Sequence, residues 1–297
     1  MKDFRNRIAV ITGGGTGMGR ELAKQLAAEG CHVATCDVSD EGAVLAFRDA
    51  VREQHATDHV HLLFNNAGIG GGGSLFTDDR AEWERTFAVD WYGVYYCTRA
   101  FLPLLVASPE AHLVNTSSVN GFWASLGPNV PHTAYSAAKF AVKGFTEALI
   151  NDLRLNAPHV KVSLVMPGHV GTSIVINSAA VLGRPSPKEM TAEDLRPVRD
   201  RMERAGLPRD ALSDDQLRAV LQQIAENFRD KAPLSAAGAA TIILDGIRSD
   251  TWRILVGEDA KELDRMVRAA PEEAYERAFM AQLRKKGHLG FVFQPGE

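Results

Sequence analysis

The N-terminal segment contains the feature that most restricts how this chain can fold. A short β-branched run, RIAVIT at 7–12, leads directly into the glycine-rich segment GGGTGMG at 13–19. The helical pattern RELAKQLAAEG follows at 20–30, and CHVATCDV at 31–38 has the composition of a second strand. A strand, a tight turn, a helix and a strand in this order open a doubly wound parallel sheet. We therefore predict an α/β fold of the Rossmann-like type.

The alternation of strands and helices continues along the chain. The hydrophobic pattern predicts helices over 40–54, 79–107, 134–156 and 235–249, and strands over 59–68, 111–118, 160–168 and 253–257. Residues 169–231 contain four prolines, many charges and no strand-like run. We predict a single domain over 1–297, with a helical insertion at 172–231 and a helical C-terminal extension at 258–297.

Composition excludes several classes of partner. Charged residues make up 24% of the chain and the formal net charge is −4, which gives no reason to expect nucleic acid or an anionic membrane. No apolar run approaches the ~20 residues of a membrane span, and the first residues enter a strand without a signal peptide. The three cysteines lack the CxxC spacing of metal sites, and His55, His59 and His61 straddle a helix end and a strand start. We expect a cytoplasmic protein with a small-molecule substrate and no metal.

The glycine-rich turn has the properties of a phosphate-binding loop. Gly13, Gly17 and Gly19 would let the backbone approach a pyrophosphate, which the N–H groups of the following helix would face. Asp37, at the end of the second strand, would accept hydrogen bonds from ribose hydroxyls and repel a 2′-phosphate. Thr16 offers no positive charge to such a phosphate. These residues favour NAD over NADP, although an ordinary tight turn and a solvated Asp37 are the simpler alternatives.

A tyrosine and a lysine stand four residues apart in YSAAK at 135–139. On a helix this spacing places Tyr135 and Lys139 ~5–6 Å apart on one face. Oxidation of an alcohol needs a base that takes the hydroxyl proton, and a nearby ammonium favours the phenolate form of tyrosine. In the opposite direction the neutral phenol would donate the proton. A surface helix remains the alternative for this pair taken alone.

Five motifs occur together in an order that resembles the short-chain dehydrogenase/reductase family. They are TGGGTGMG at 12–19, NNAG at 65–68, NTSSVNG at 115–121, YSAAK at 135–139 and PGHVGT at 167–172. The resemblance covers residues 5–172 well and 235–257 loosely. It implies hydride transfer between a nicotinamide and a secondary alcohol or ketone, with Tyr135 as base, Ser118 orienting the substrate oxygen and Lys139 holding the ribose. It also implies a homodimer or homotetramer.

The resemblance assigns the following residues to the cofactor: Gly13, Gly17, Met18, Gly19, Asp37, Asn66, Ala67, Gly68, Tyr135, Lys139, Pro167, Gly168, Val170 and Thr172. Ser118 is preferred to Ser117 because Gly121 follows it by three residues. Ser117 and Ser118 as simple strand-end caps are the alternative.

Three departures from the family pattern are visible. Asp90 stands where the family usually has an asparagine that supports proton relay, so we count it as a catalytic-site residue that could alter activity. Only 28 residues separate Asp37 from Asn65, and the 38–58 region has room for one helix where the family has two helices and a strand. We predict a six-stranded sheet with 32–38 at its edge, and weakened binding of the cofactor. The segment after Ser118 is longer than usual, and its Phe122, Trp123 and Leu126 either line a pocket or belong to the core.

These features support an NAD-dependent oxidoreductase acting on an apolar secondary alcohol or ketone. The insertion starts with apolar residues, including Ile174, Val175 and Ile176, and we expect it to form a lid over such a substrate. Two alternatives remain: a nucleotide-binding regulator that has lost catalysis, and a dehydratase or epimerase that uses the same tyrosine.

Overall fold

A computed structural model describes residues 1–34, 38–127, 130–204 and 206–286 of the 297-residue chain. Within them, six parallel strands form one sheet in the order β2-β1-β3-β4-β5-β8. Those strands are β1 (Ile8–Ile11), β2 (His32–Ala34), β3 (Leu62–Asn65), β4 (Ala111–Thr116), β5 (Val160–Pro167) and β8 (Arg253–Val256). The predicted doubly wound architecture is confirmed.

Helices cover both faces of the sheet because strand side chains alternate between the two faces. Val10 of β1 belongs to the core on the face of α2 (Glu41–Gln54), α4 (Gly93–Val106) and α5 (Thr133–Asn156). Ala9 and Ile11 belong to the opposite core, with α1 (Gly17–Ala28) and α9 (Ala236–Arg248). The site therefore rests on a rigid, three-layered scaffold.

Within the described part of the chain the sheet ends at β2, which confirms the prediction of a six-stranded sheet with this strand at its edge. β2 pairs only with β1 among the described strands, and β1 pairs with β3 on its other side. The single helix α2 carries the chain from β2 across β1 to β3. Its Val44 and Val51 are buried beside Phe101 of α4, so one helix covers this part of the sheet.

The helix predicted over 79–107 is interrupted. It consists of α3 (Arg80–Phe87), a π-helical segment Ala88–Tyr92 and α4. A π-helical turn inserts an extra residue into the helix, and such turns are frequent at functional sites. Here the wider turn contains Asp90, which is fully buried.

Within its described residues the insertion contains the α-helices α6 (Ile174–Val181), α7 (Ala192–Arg204) and α8 (Asp214–Asp230). The prediction that 169–231 has no strand is wrong at its start, because β6 (Val170–Gly171) pairs with β7 (Leu234–Ser235). Two-residue strands are too short to give a periodic signal in the sequence.

The C-terminal extension is helical, as predicted, over α10 (Glu258–Ala269) and α11 (Arg277–Lys285). Trp123 is buried against this extension in a cluster with Leu263, Phe279 and Leu283, and its indole N–H donates to the carbonyl of Ala274. Trp123 thus belongs to the core. No helix in the described part of the chain is long and apolar enough to cross a membrane.

Candidate active site

The glycine-rich loop turns directly into a helix. The predicted helix start at residue 20 is wrong, since α1 begins at Gly17, whose φ of +53° lies in the left-handed region that favours glycine. Thr16 precedes the helix and, within the described residues, its side chain makes no capping hydrogen bond. The first N–H groups of α1 thus lack a side-chain acceptor, as a phosphate-binding helix terminus requires.

The NNAG loop after β3 packs on the glycine-rich loop. The Thr12 hydroxyl accepts hydrogen bonds from the backbone N–H groups of Asn66 and Ala67, at 2.9 and 3.0 Å. A Cβ added to Gly13 would lie 2.9 Å from the Cα of Ala67, and one on Gly19 would lie 2.4 Å from the carbonyl oxygen of Gly13. Only glycines permit this approach, and the middle of the loop is open at Gly15, where a Cβ would contact nothing within 4 Å. The loop therefore fits a dinucleotide pyrophosphate.

A buried lysine lies behind these loops. The ammonium of Lys139 is 2.9 Å from a carboxylate oxygen of Asp90 and donates to the carbonyl of Thr116 at 3.3 Å. It also lies 5.3 Å from the ring centre of Tyr135. A Cβ on Gly68 would be 2.6 Å from Asp90 and 3.2 Å from the Lys139 ammonium, so the NNAG loop contacts this pair directly.

Burial is the largest single influence on the pKa values of Asp90, Lys139 and Tyr135. It raises the pKa of Asp90, although the neighbouring Lys139 ammonium opposes the shift. Burial alone would lower the pKa of Lys139, but the charges of Asp90 and Tyr135 and the hydrogen bond to Asp90 together outweigh it, and the net pKa is raised. Burial also raises the pKa of Tyr135; Lys139 and Ser118 oppose that shift, while Asp90 adds to it. Lys139 is therefore held as an ammonium and Tyr135 is neutral in the absence of cofactor.

The two serines after β4 have different partners. The Ser117 hydroxyl donates to the backbone carbonyl of Lys139 at 2.7 Å, which ties β4 to α5. A Cβ on Gly121 would be 2.2 Å from that hydroxyl, so Gly121 leaves the space for this contact. Ser118 instead interacts with the Tyr135 hydroxyl and accepts from the N–H of Asn120 at 3.1 Å. Both serines thus have partners beyond a strand-end cap, and Ser118 is the one beside Tyr135.

The first helix of the insertion reaches the loops of the site. The Ser178 hydroxyl on α6 accepts a hydrogen bond from the N–H of Gly70 at 2.8 Å, and Asn177 donates to Thr16 at 3.3 Å. Thr172, just before α6, lies against Gly17, since a Cβ there would be 3.2 Å from its methyl group. The insertion thus closes on both glycine-rich segments.

The PGHVGT segment is held by β8, β7, the end of α8 and the start of α10. Pro167 ends β5 opposite Val256, and the N–H of His169 donates to Asp259 at 2.6 Å. A Cβ on Gly168 would be 2.3 Å from the same carboxylate. Val170 is buried in β6. Gly168 and Val170 therefore have structural reasons for their identity, whatever they contribute to cofactor binding.

Two predicted cofactor residues need separate mention. Asp37 lies outside the described residues, so its position relative to a ribose stays a prediction. Met18, in the first turn of α1, is partly buried and packs against the core on that face of the sheet. Among the described residues no group of three or more His, Cys, Asp or Glu side chains could hold a metal ion.

Sequence reasoning missed four residues that shape the site. Ser178 lies in an insertion whose residues have no motif to mark them, and Asp259 is distant in sequence from the loop that it holds. Thr116 acts through its backbone carbonyl, which no sequence pattern reveals. His132 contacts Tyr135 with its ring, and its position just before YSAAK was the only available signal.

Comparison with known proteins agrees with this geometry. The family model "short chain dehydrogenase" matches residues 7–54 and again 33–182, so residues 33–54 are matched twice. The protein named "Putative oxidoreductase SadH" from Mycobacterium tuberculosis is 32% identical over 312 aligned residues, covering 96% of this chain and 98% of the relative. These matches define the class as an oxidoreductase on a Rossmann-like scaffold. The chain belongs to the short chain dehydrogenase family.

Solved structures support the same assignment. A short chain dehydrogenase/reductase from Burkholderia phymatum in complex with NAD covers all of both chains, with 27% identity and a TM-score of 0.67. A short chain dehydrogenase from Burkholderia cenocepacia J2315 in complex with NADP covers 95% of this chain and 98% of that one. At 18% identity and a TM-score of 0.63 it shows the common fold. Proteins with this fold thus include one bound to NAD and one bound to NADP.

Proposed function

We propose that this protein is an NAD-dependent oxidoreductase that transfers hydride between the nicotinamide and an apolar secondary alcohol or ketone. One observation carries the proposal: the Lys139 ammonium lies between Asp90 and the ring of Tyr135, directly behind the NNAG loop. A tyrosine next to a buried ammonium, at the edge of a dinucleotide-binding loop, has the surroundings of a general base.

The residues of the site divide the proton chemistry among them. The bound nicotinamide supplies the hydride acceptor or donor. Tyr135 takes the hydroxyl proton of the alcohol during oxidation and returns it during reduction. Ser118, beside the phenol, orients the substrate oxygen and stabilises its developing charge. Lys139 favours the phenolate, because its charge opposes the effect of burial and lowers the pKa of Tyr135.

The preference for NAD rests on residue types at the adenosine end. Asp37 follows the second strand, where a carboxylate disfavours a 2′-phosphate. Thr16 provides no positive charge to such a phosphate. The relative from Burkholderia phymatum, solved with NAD, supports the same choice of cofactor.

The proposal of an apolar substrate rests on the insertion. Val175, Ile176 and Val181 on α6 are exposed, although this helix touches the loops of the site. Leu75 and Phe76, at the end of the glycine-rich 68–74 segment, are 73% and 98% exposed. We propose that residues 172–231 act as a lid whose apolar residues cover the substrate.

The proposal predicts that Tyr135→Phe abolishes turnover while cofactor binding persists. The substitution removes only the phenolic hydroxyl, so the helix and the contacts of Lys139 are retained. We expect kcat for oxidation of secondary alcohols to fall by 10²–10⁴-fold, which is the usual contribution of a general base. The measurement follows the absorbance of reduced nicotinamide with NAD, and in parallel NADP, against a panel of secondary alcohols.

The same assay distinguishes the other functions. The wild-type protein would contradict the proposal if it bound NAD but oxidised no alcohol and reduced no ketone. In that case the charge of Asp90, which raises the pKa of Tyr135, would favour a nucleotide-binding regulator that has lost catalysis. Product formation without net oxidation of the substrate would favour a dehydratase or epimerase.

A further inference from the structure

His132 is a titratable residue of the site to which the proposed mechanism gives no role. It immediately precedes α5 and stands three residues before Tyr135. The centres of its imidazole and the Tyr135 ring are 4.7 Å apart, with 34° between their planes. The backbone carbonyl of His132 accepts the N–H of Ser136 at 3.2 Å, so the residue is held in the first turn of the helix. Its side chain is therefore a direct neighbour of the phenol.

The backbone next to His132 contacts the 68–74 loop. The next two residues, Thr133 and Ala134, donate their N–H groups to the carbonyls of Gly73 and Gly72, at 3.0 and 2.9 Å. The same 68–74 loop is tied to α6 through Gly70 and Ser178. His132 thus lies where the start of α5 meets the loop that the insertion contacts, with its imidazole against Tyr135. Lys139 lies one helical turn further along α5, paired with Asp90 behind the NNAG loop.

The ionisation of His132 restricts what it can do. Burial lowers its pKa to about 4, so the imidazole is neutral at pH 7. It is then too weak a base to remove a proton from Tyr135, but it has one N–H donor and one nitrogen acceptor. Within the described residues neither ring nitrogen takes part in a hydrogen bond or ion pair. A half-buried group of this kind is available to a polar atom of a bound molecule.

We propose that His132 recognises a second oxygen atom of the substrate, on the carbon next to the reacting carbon. The inference rests on the proposed function, because it takes the first oxygen to be the one bound by Tyr135. Vicinal oxygens lie about a hydrogen-bond length apart, so a substrate held at one oxygen by Tyr135 can present the other to the neighbouring imidazole. The substrate class is then vicinal diols and the corresponding α-hydroxyketones.

The chemistry of a neutral imidazole favours this class over two others. It accepts a hydrogen bond from a diol hydroxyl and donates one to a ketone oxygen, so it serves the substrate in both directions of the reaction. A carboxylate at that position would need a positive partner, and the neutral imidazole provides none. A simple alcohol would leave the imidazole unpaired, which costs free energy in a closed site.

The test compares matched substrates on the full chain with NAD. We expect the wild-type kcat/KM for 2,3-octanediol to exceed that for 2-octanol by roughly 10- to 100-fold. His132→Phe keeps an aromatic ring against Tyr135 and removes both nitrogens. It should reduce kcat/KM for the diol by the same factor and leave that for 2-octanol within about threefold. His132→Gln, which restores a donor and an acceptor, should recover part of the preference.

Three outcomes would overturn the inference. The first is a wild-type enzyme without preference for the diol, and the second is a preference that survives in His132→Phe. The third is an equal loss for both substrates in His132→Phe, which would indicate that the imidazole only supports Tyr135. Absence of turnover with either substrate would instead reject the proposed oxidoreductase, and this inference with it.

Discussion

Asp90 gives this site a charge that the family resemblance does not predict. Its carboxylate lies 2.9 Å from the Lys139 ammonium and adds to the raised pKa of Tyr135. We predict that Asp90→Asn, which restores the family residue, lowers the pKa of Tyr135. Oxidation needs the phenolate, so activity is lost as the pH falls through this pKa. The acid limb of the pH profile of kcat/KM for alcohol oxidation should therefore move to lower pH.

Asp90→Ala provides the contrast to that variant. It leaves Lys139 buried without a hydrogen-bonding partner on that side, and breaking a buried pair costs roughly 3–5 kcal/mol. Thermal or urea unfolding should therefore show a larger loss of stability in Asp90→Ala than in Asp90→Asn. An acid limb that stays in place in Asp90→Asn would show that Asp90 does not control the phenol.

The residues of the site differ in how visible they are in the sequence. Tyr135, Lys139 and Ser118 could be predicted because the chemistry demands particular side chains at fixed spacings on one helix and one strand end. Ser178 could not, because its importance comes from a contact across the fold. His132 could not, because the contact of its ring with Tyr135 is visible only in the structure. Asp90 could be identified only as a departure, and its position on a π-helical turn required the structure.

Helix α6 is the element that joins the insertion to the site. Ser178 is buried, and its hydroxyl is the acceptor for the N–H of Gly70. We predict that Ser178→Ala loosens α6 from the 68–74 loop, because the N–H loses its partner, worth about 1 kcal/mol net. KM for the alcohol should rise by about three- to tenfold, with a smaller change in kcat, in steady-state kinetics. Equal KM values in variant and wild type would contradict the idea that α6 covers the substrate.

A matched variant on the same insertion controls for general effects of substitution. Gln223 lies on the exposed side of α8 and bonds only to Asn227 among the described residues. Gln223→Ala should leave both kinetic constants unchanged.

The elements of the fold were predictable to different degrees. The buried strands and amphipathic helices follow from hydrophobic periodicity, and each predicted one is present. The start of α1 was misplaced because glycines in its first turn have poor helix propensity, which the turn geometry overrides. β6 and β7 were missed because two residues cannot show a period.

At the scale of the whole molecule, the chain is shorter than the family model between the second strand and the NNAG motif. The family model matches residues 33–54 twice, once with the segment before them and once with the segment after them. The alignment with the Mycobacterium relative spans 312 positions, more than the 297 residues of this chain, so it includes gaps in this chain. β2 and α2 therefore occupy the place of two strand–helix units, and the sheet ends at β2. This loss was predictable from the number of residues between the motifs. The packing of α2 over the remaining strands was not predictable from the sequence.

The shortened edge should weaken the hold on the adenosine half of the cofactor. The glycine-rich loop and the Tyr135–Lys139 pair are both present, so we expect the nicotinamide half to be bound as in the family. We predict that NAD binds less than about 100-fold more tightly than nicotinamide mononucleotide, which assigns under roughly 2.8 kcal/mol to the adenosine half. Calorimetric titration of the same preparation with each ligand measures the ratio of the two Kd values, and ADP-ribose should compete weakly. A ratio well above 100 would mean that residues near β2 have rebuilt a complete adenosine pocket from a single strand.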